Sequence, residues 1–144
     1  MAYLDTVMPE RLRPDTGGSS KACELPLRVL VVEDETVVAI WLEDMLEELG
    51  CTTQYVAASV TQALDWLKHR PALDAAVLDV KLFGASIYPV ANMLQAQGVP
   101  FIFSTAYAHA ELLERYPGTR VLIKPYGQSA LCAALAECHR GRYA

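Results

Sequence analysis

Basic residues are sparse in this sequence: 12 Lys and Arg stand against 17 Asp and Glu in 144 residues, a formal net charge of −5, and they form no run. Nucleic-acid phosphates require a positive footprint, so no direct nucleic-acid partner is expected. Long apolar stretches are also missing. The longest, such as Val29–Val32 and Val99–Phe103, have strand length and fall far short of the roughly 18–20 residues that cross a bilayer. The start, Met1-Ala2-Tyr3-Leu4-Asp5, lacks the basic end and apolar segment of a signal peptide, so a cytoplasmic protein without membrane association is expected. Cysteines number four (Cys23, Cys51, Cys132, Cys138) and show no CxxC spacing, which reads as thiols in a reducing compartment rather than a disulfide frame.

What the chain does have is 53% hydrophobic residues, enough at this length for one domain with a sizeable core. Residues 1–27 differ from the rest: Pro9, Pro14 and Pro26, the run Gly17-Gly18-Ser19-Ser20 and the lack of an apolar period give an N-terminal extension. Its Tyr3, Leu4, Val7 and Met8 could rest on the chain's own domain or on a second copy, and the second case makes a homodimer. The folded domain is expected over 28–144. There, apolar runs alternate with helical periodicity. Strands are read at Val29–Val32, Thr52–Ala57, Ala75–Leu78, Val99–Phe103 and Val121–Ile123. Helices are read at Thr36–Leu49, Val60–His69, Pro89–Gln97, His109–Arg115 and Gln128–His139. Strands that read as continuous apolar runs are buried on both faces, so the expected fold is α/β: a doubly wound, five-stranded parallel sheet with five helices, flavodoxin-like.

Polar residues interrupt this pattern at one repeated place, just past a strand. Glu33-Asp34-Glu35 follows the first strand, Asp79 the third, Ser104-Thr105 the fourth and Lys124-Pro125 the fifth. Parallel strands point the same way, so these turns meet at the carboxyl edge of the sheet, where open α/β sheets bind ligands. Glu33, Asp34 and Asp79 would repel one another there unless a cation joined them, and Mg²⁺ suits a set of oxygen ligands shared with a phosphate. Phosphoryl transfer needs positive charge and hydrogen-bond donors around phosphorus and an in-line nucleophile. Lys124 and the metal supply the charge, Thr105 a hydroxyl, and Asp79, among Val77, Leu78 and Val80, is the expected nucleophile. One acidic residue after a strand is ordinarily a turn or helix-cap residue, which is the plain reading of Asp34 alone; the coincidence of four strand ends carries the functional one.

These residues resemble a response-regulator receiver domain of bacterial two-component signalling. The resemblance runs from about Leu27 to Arg140, through Val31-Val32-Glu33-Asp34-Glu35, Val77-Leu78-Asp79-Val80, Phe103-Ser104-Thr105-Ala106 and Ile123-Lys124-Pro125-Tyr126. It implies that Asp79 accepts phosphate from a phosphohistidine on a sensor histidine kinase or phosphotransfer protein. It also implies that Asp34, Asp79 and the main-chain carbonyl of Lys81 bind Mg²⁺, with Glu33 holding the metal through water. By the same resemblance Thr105 turns toward the phosphoryl group, Lys124 pairs with it, and the Lys124-Pro125 peptide is often cis. Asp79-Val80-Lys81-Leu82-Phe83-Gly84, Tyr88-Pro89-Val90-Ala91 and Pro100-Phe101-Ile102-Phe103-Ser104-Thr105-Ala106-Tyr107 are similar to stand-alone receivers of alphaproteobacteria that carry a Phe-x-Thr-Gly-Tyr-like motif. Three positions depart from the family pattern. Val121 stands three before Lys124, where many receivers carry an aromatic switch residue, and Tyr107 is the nearest replacement. Phe83 stands where many have Pro, and Ala106 where the subgroup usually has Gly. Lys81 places a cation at the mouth of the site.

The remaining candidates read plainly. His69, His109 and His139 are scattered surface or packing residues, Trp41 and Trp66 are partly buried core residues, and Glu43-Asp44 with Glu47-Glu48 form a solvated face that also flanks the helix kinases contact in this family. The expected function is a switch, not an enzyme: phosphorylation of Asp79 biases the turns after strands three and four, and output passes to a downstream protein or onward to a phosphotransfer histidine, since no output domain follows Ala144. Two alternatives compete. An aspartate-nucleophile phosphatase of the haloacid dehalogenase type needs an acid two residues after the nucleophile, where this chain has Lys81. A phosphorylation-independent adaptor would leave the acidic pocket, Thr105 and Lys124 without a task.

Overall fold

The computed structural model describes residues 25–81, 86–107 and 110–141. Over these residues five strands alternate with five helices: β1 (Arg28–Val32), α1 (Thr36–Glu48), β2 (Thr52–Ala57), α2 (Val60–Leu67), β3 (Ala75–Asp79), α3 (Tyr88–Ala96), β4 (Phe101–Thr105), α4 (Ala110–Arg115), β5 (Val121–Ile123) and α5 (Gln128–Gly141). The strands are all parallel, in the order β2-β1-β3-β4-β5. This is the doubly wound α/β sheet the apolar runs predict. Successive side chains of each strand feed two separate cores. Leu30, Val32, Ala76, Leu78, Phe101 and Phe103 pack on one face with α2, α3 and α4 residues such as Leu67, Leu94 and Leu112. Val29, Val31, Ala75, Val77 and Ile102 pack on the other with Leu42 and Leu46 of α1, Leu49 just past its end, and Leu131 and Leu135 of α5.

Two helices deliver the chain to the sheet by the same device. After α1, Gly50 at φ 91° donates its N–H to the Glu47 carbonyl (3.0 Å) and Cys51 donates to Leu46 (2.9 Å). After α3, Gly98 at φ 73° donates to Gln95 (3.0 Å) and Val99 to Leu94 (2.9 Å). Both are Schellman ends, which require a left-handed residue and satisfy carbonyls the helix leaves open.

The second device corrects one boundary. The apolar run Val99–Phe103 predicts the fourth strand there, but the strand is Phe101–Thr105. Val99 has committed its N–H to the end of α3, and Pro100 has none to give, so pairing starts two residues later. The strand then runs on through Ser104 and Thr105, and β3 likewise reaches Asp79. The polar residues thus occupy the last rungs of buried strands, not only the turns beyond. Likewise α2 stops at Leu67, not His69; Arg70 sits at φ 49°.

At the opposite edge, Arg28 and Asp74 tie the entrances of β1 and β3 with a two-pronged ion pair (2.8 and 3.0 Å), which holds the Asp74 carboxyl at about 2, well below its ordinary range. Trp41 and Trp66 are half-buried as expected, Trp66 stacked on Tyr55 with ring centres 5.1 Å apart. Of the cysteines, Cys51, Cys132 and Cys138 form no disulfide among the described residues. The extension's Tyr3, Leu4, Val7, Met8 and Cys23, together with Phe83 and His109, lie outside the described residues. No helix among the described residues is long and apolar enough to cross a membrane.

Candidate functional site

The strand order makes β1 and β3 neighbours with connections running to opposite sides, and the carboxyl ends of such a pair border a crevice. Glu33 follows β1, and Asp79 ends β3. Both are buried, at 3% and 4% exposure, while Asp34 is half-buried beside them. Glu33, Asp34 and Asp79 each offer a carboxylate oxygen within 4.8 Å of the others. The backbone holds two of them in place: Glu33 accepts from the Glu35 N–H (3.2 Å) and Asp79 from the Lys81 N–H (3.3 Å).

Lys124 enters this group from the end of β5. Its ammonium donates to Glu33 Oε1 at 3.0 Å and lies 3.4 Å from Asp79 Oδ1. Its main-chain N–H donates to the Thr105 carbonyl at 2.7 Å, which fixes the turn to β4, and the following Lys124–Pro125 peptide is cis. Burial raises the Asp79 carboxyl, and the neighbouring Glu33 charge raises it further; Lys124 offsets only part, leaving it at about 7. Burial pulls the Lys124 ammonium down, but Glu33 and Asp79 outweigh it and the group stays charged. Three carboxylates against one ammonium leave negative charge for a divalent cation to compensate, and an all-oxygen set of this kind fits Mg²⁺.

Thr105 is 1% exposed, and its Oγ1 accepts from the Tyr107 N–H at 3.3 Å. The Tyr107 ring itself turns outward, 61% exposed, with the Lys81 ammonium 5.7 Å from its centre. Val121, in the position where an aromatic is usual in the family, is half-buried on β5. The residues that sequence reasoning left without a role are Ser104 and Tyr126. Their hydroxyls lie 3.1 Å apart, both residues are buried, and the Tyr126 ring meets Trp41 of α1 with centres 5.4 Å apart. The signal was a serine following three apolar residues of a buried strand, which needs a polar partner when buried.

A family model, the response regulator receiver domain, matches residues 29–136. The phyllosphere-induced regulator PhyR of Methylorubrum extorquens is 29% identical over 126 residues, covering 85% of this chain and 47% of that protein. The transcriptional regulatory protein PdtaR of Mycobacterium tuberculosis is also 29% identical over 126 residues, covering 83% of this chain and 60% of that one. This chain therefore spans about half the length of the curated relatives it matches. Among solved structures, SdrG from Sphingomonas melonis is 37% identical with a TM-score of 0.67, covering 76% of this chain and 92% of SdrG. A response regulator receiver protein from Sinorhizobium medicae superposes with a TM-score of 0.73 at 22% identity, covering 81% of this chain and 96% of that one, a likeness of fold. Receiver domains generally bind Mg²⁺ at an acidic pocket, and these relatives are regulators rather than classical enzymes. This chain belongs to the response regulator receiver domain family of two-component signalling, of the PhyR-like type.

Proposed function

We propose that Asp79 is the phosphoryl acceptor of a Mg²⁺-dependent switch, charged by a histidine kinase or phosphotransfer protein. The observation that carries this reading is the pairing of a buried Asp79 with Lys124 beside two further carboxylates. A carboxylate oxygen of Asp79 attacks phosphorus, the P–N bond to the donor imidazole breaks, and its electron pair leaves with the imidazole nitrogen. The product is an acyl phosphate on Asp79. Glu33, Asp34, Asp79 and the Lys81 carbonyl are the residues assigned to the metal. When bound, Mg²⁺ supplies positive charge to the phosphoryl oxygens. Lys124 exchanges its contact with Asp79 for one with the new phosphoryl oxygens, and the Thr105 hydroxyl, now accepting from Tyr107, turns to donate to them. Lys81, two residues past Asp79, takes the place where a phosphatase of the dehalogenase type needs an acid, so the chain holds the phosphate as a signal instead of turning over substrate.

The relatives' names, regulator and transcriptional regulatory protein, support output through regulation, and we assign the output to contact with a downstream protein or to onward transfer to a histidine. The folded unit carrying this is 28–144, with 1–27 as an extension. Exposure to phosphoramidate with Mg²⁺, followed by hydroxylamine, tests the reading. Phosphate that is taken up and then released by hydroxylamine is the expected acyl phosphate. Stable label, or none, overturns the reading and favours the phosphorylation-independent adaptor.

A further inference from the structure

Lys124 has to lie between Glu33 and Asp79 before transfer and on the phosphoryl group after it, so the turn that carries it needs firm support. Its main-chain N–H is tied to the Thr105 carbonyl. Two residues on, Tyr126 is tied by its side chain to Ser104, the neighbour of Thr105 and the residue registered opposite Asp79. Two successive residues of β4 therefore hold the two sides of Lys124. Buried hydroxyls are not needed for packing here, since the surrounding layer of Val77, Ile102, Leu122 and Leu131 is apolar and Phe and Ala would fill the same space. What the pair adds is direction: it ties the Tyr126 ring, which also meets Trp41, to β4 two residues beyond Lys124.

We propose that Ser104 and Tyr126 are positioning residues for phosphoryl transfer, acting through Lys124. This rests on Asp79 being the acceptor. Its distinguishing feature is a split between two measurements. The Lys124 ammonium competes with a cation for Glu33 and Asp79 but assists the phosphoryl group, so loosening it slows transfer without weakening metal binding. A defect of folding or packing alone weakens both together.

The test measures phosphoryl uptake from acetyl phosphate and Mg²⁺ affinity by calorimetry in the full chain, for wild type, Tyr126→Phe, Ser104→Ala and the double variant. Uptake is expected to fall about tenfold in each single variant, as for a catalytic group displaced by a fraction of an ångström, and no further in the double. Mg²⁺ affinity is expected to stay equal or become tighter. If Tyr126→Phe fails to fold, Ser104→Ala carries the same test, because it removes the bond and keeps the Tyr126 side chain itself intact. Uptake within twofold of wild type overturns the inference, as does a parallel loss of Mg²⁺ affinity. Wild type that takes up no phosphate overturns the proposed function itself, and the inference falls with it.

Discussion

Without a metal, Asp79 is an acid in a poor place to ionise: 4% exposed, beside Glu33, and only partly compensated by Lys124. Its folded-state value of about 7 lies above the ordinary 3.8, so the folded protein holds that proton more tightly than the unfolded chain does. The stabilisation from the bound proton is complete below pH 4 and is lost as pH rises through 7. Replacing Asp79 by Asn removes the charge while keeping the shape. In chelator at pH 8, Asp79→Asn is expected to be more stable than wild type by on the order of 2 kcal/mol, with the gap closing toward pH 4. Urea unfolding at several pH values checks this. A variant equal to wild type across that range would mean that Asp79 carries no strain of charge. The same three-carboxylate group is the set that a divalent cation would relieve of this repulsion.

Among elements, β4 shows how a helix end sets the site. The left-handed Gly98 closes α3, commits Val99 to Leu94 and starts β4 at Phe101, which brings Ser104 opposite Asp79. No atom crowds a Cβ at Gly98, so its substitution reads the backbone alone. Gly98→Ala is expected to destabilise by about 1 kcal/mol through the left-handed conformation. Thermal unfolding measures it, and a loss well above that would show that the register of β4 moves with the turn. The same element marks what a sequence shows and what it hides. Phe101, Ile102 and Phe103 announce a buried strand by their run. Val99 looks like part of that run, because nothing in an isolated apolar residue tells that its N–H is spent on a helix. The five strands and five helices are legible for the complementary reason: a strand covered on both faces must be apolar throughout, so each polar residue at its end stands out.

At the scale of the molecule, the sheet order assembles residues far apart in the chain. Glu33 and Lys124 are 91 positions apart and meet at 3.0 Å because β1, β3, β4 and β5 are parallel neighbours. That acids, hydroxyl and lysine share one edge is readable from their common place at strand ends, since the parallel sheet aligns those ends. Their individual contacts are not. Lys124 reaches Glu33 and Asp79 from the end of β5, and the Tyr126 hydroxyl finds Ser104 only once β4 and β5 lie side by side. Tyr107, the nearest replacement for the aromatic absent at Val121, holds its ring in solvent, and Tyr126 packs against Trp41 on α1. The central claim, that four strand ends make one Mg²⁺-dependent acceptor, is tested most directly by intact mass. The protein is incubated with acetyl phosphate and Mg²⁺, beside Asp79→Asn and a chelated control. One phosphoryl adduct in the wild type, absent from both controls, is the expected result. An adduct that survives in Asp79→Asn, or no adduct on correctly folded wild type, would contradict it.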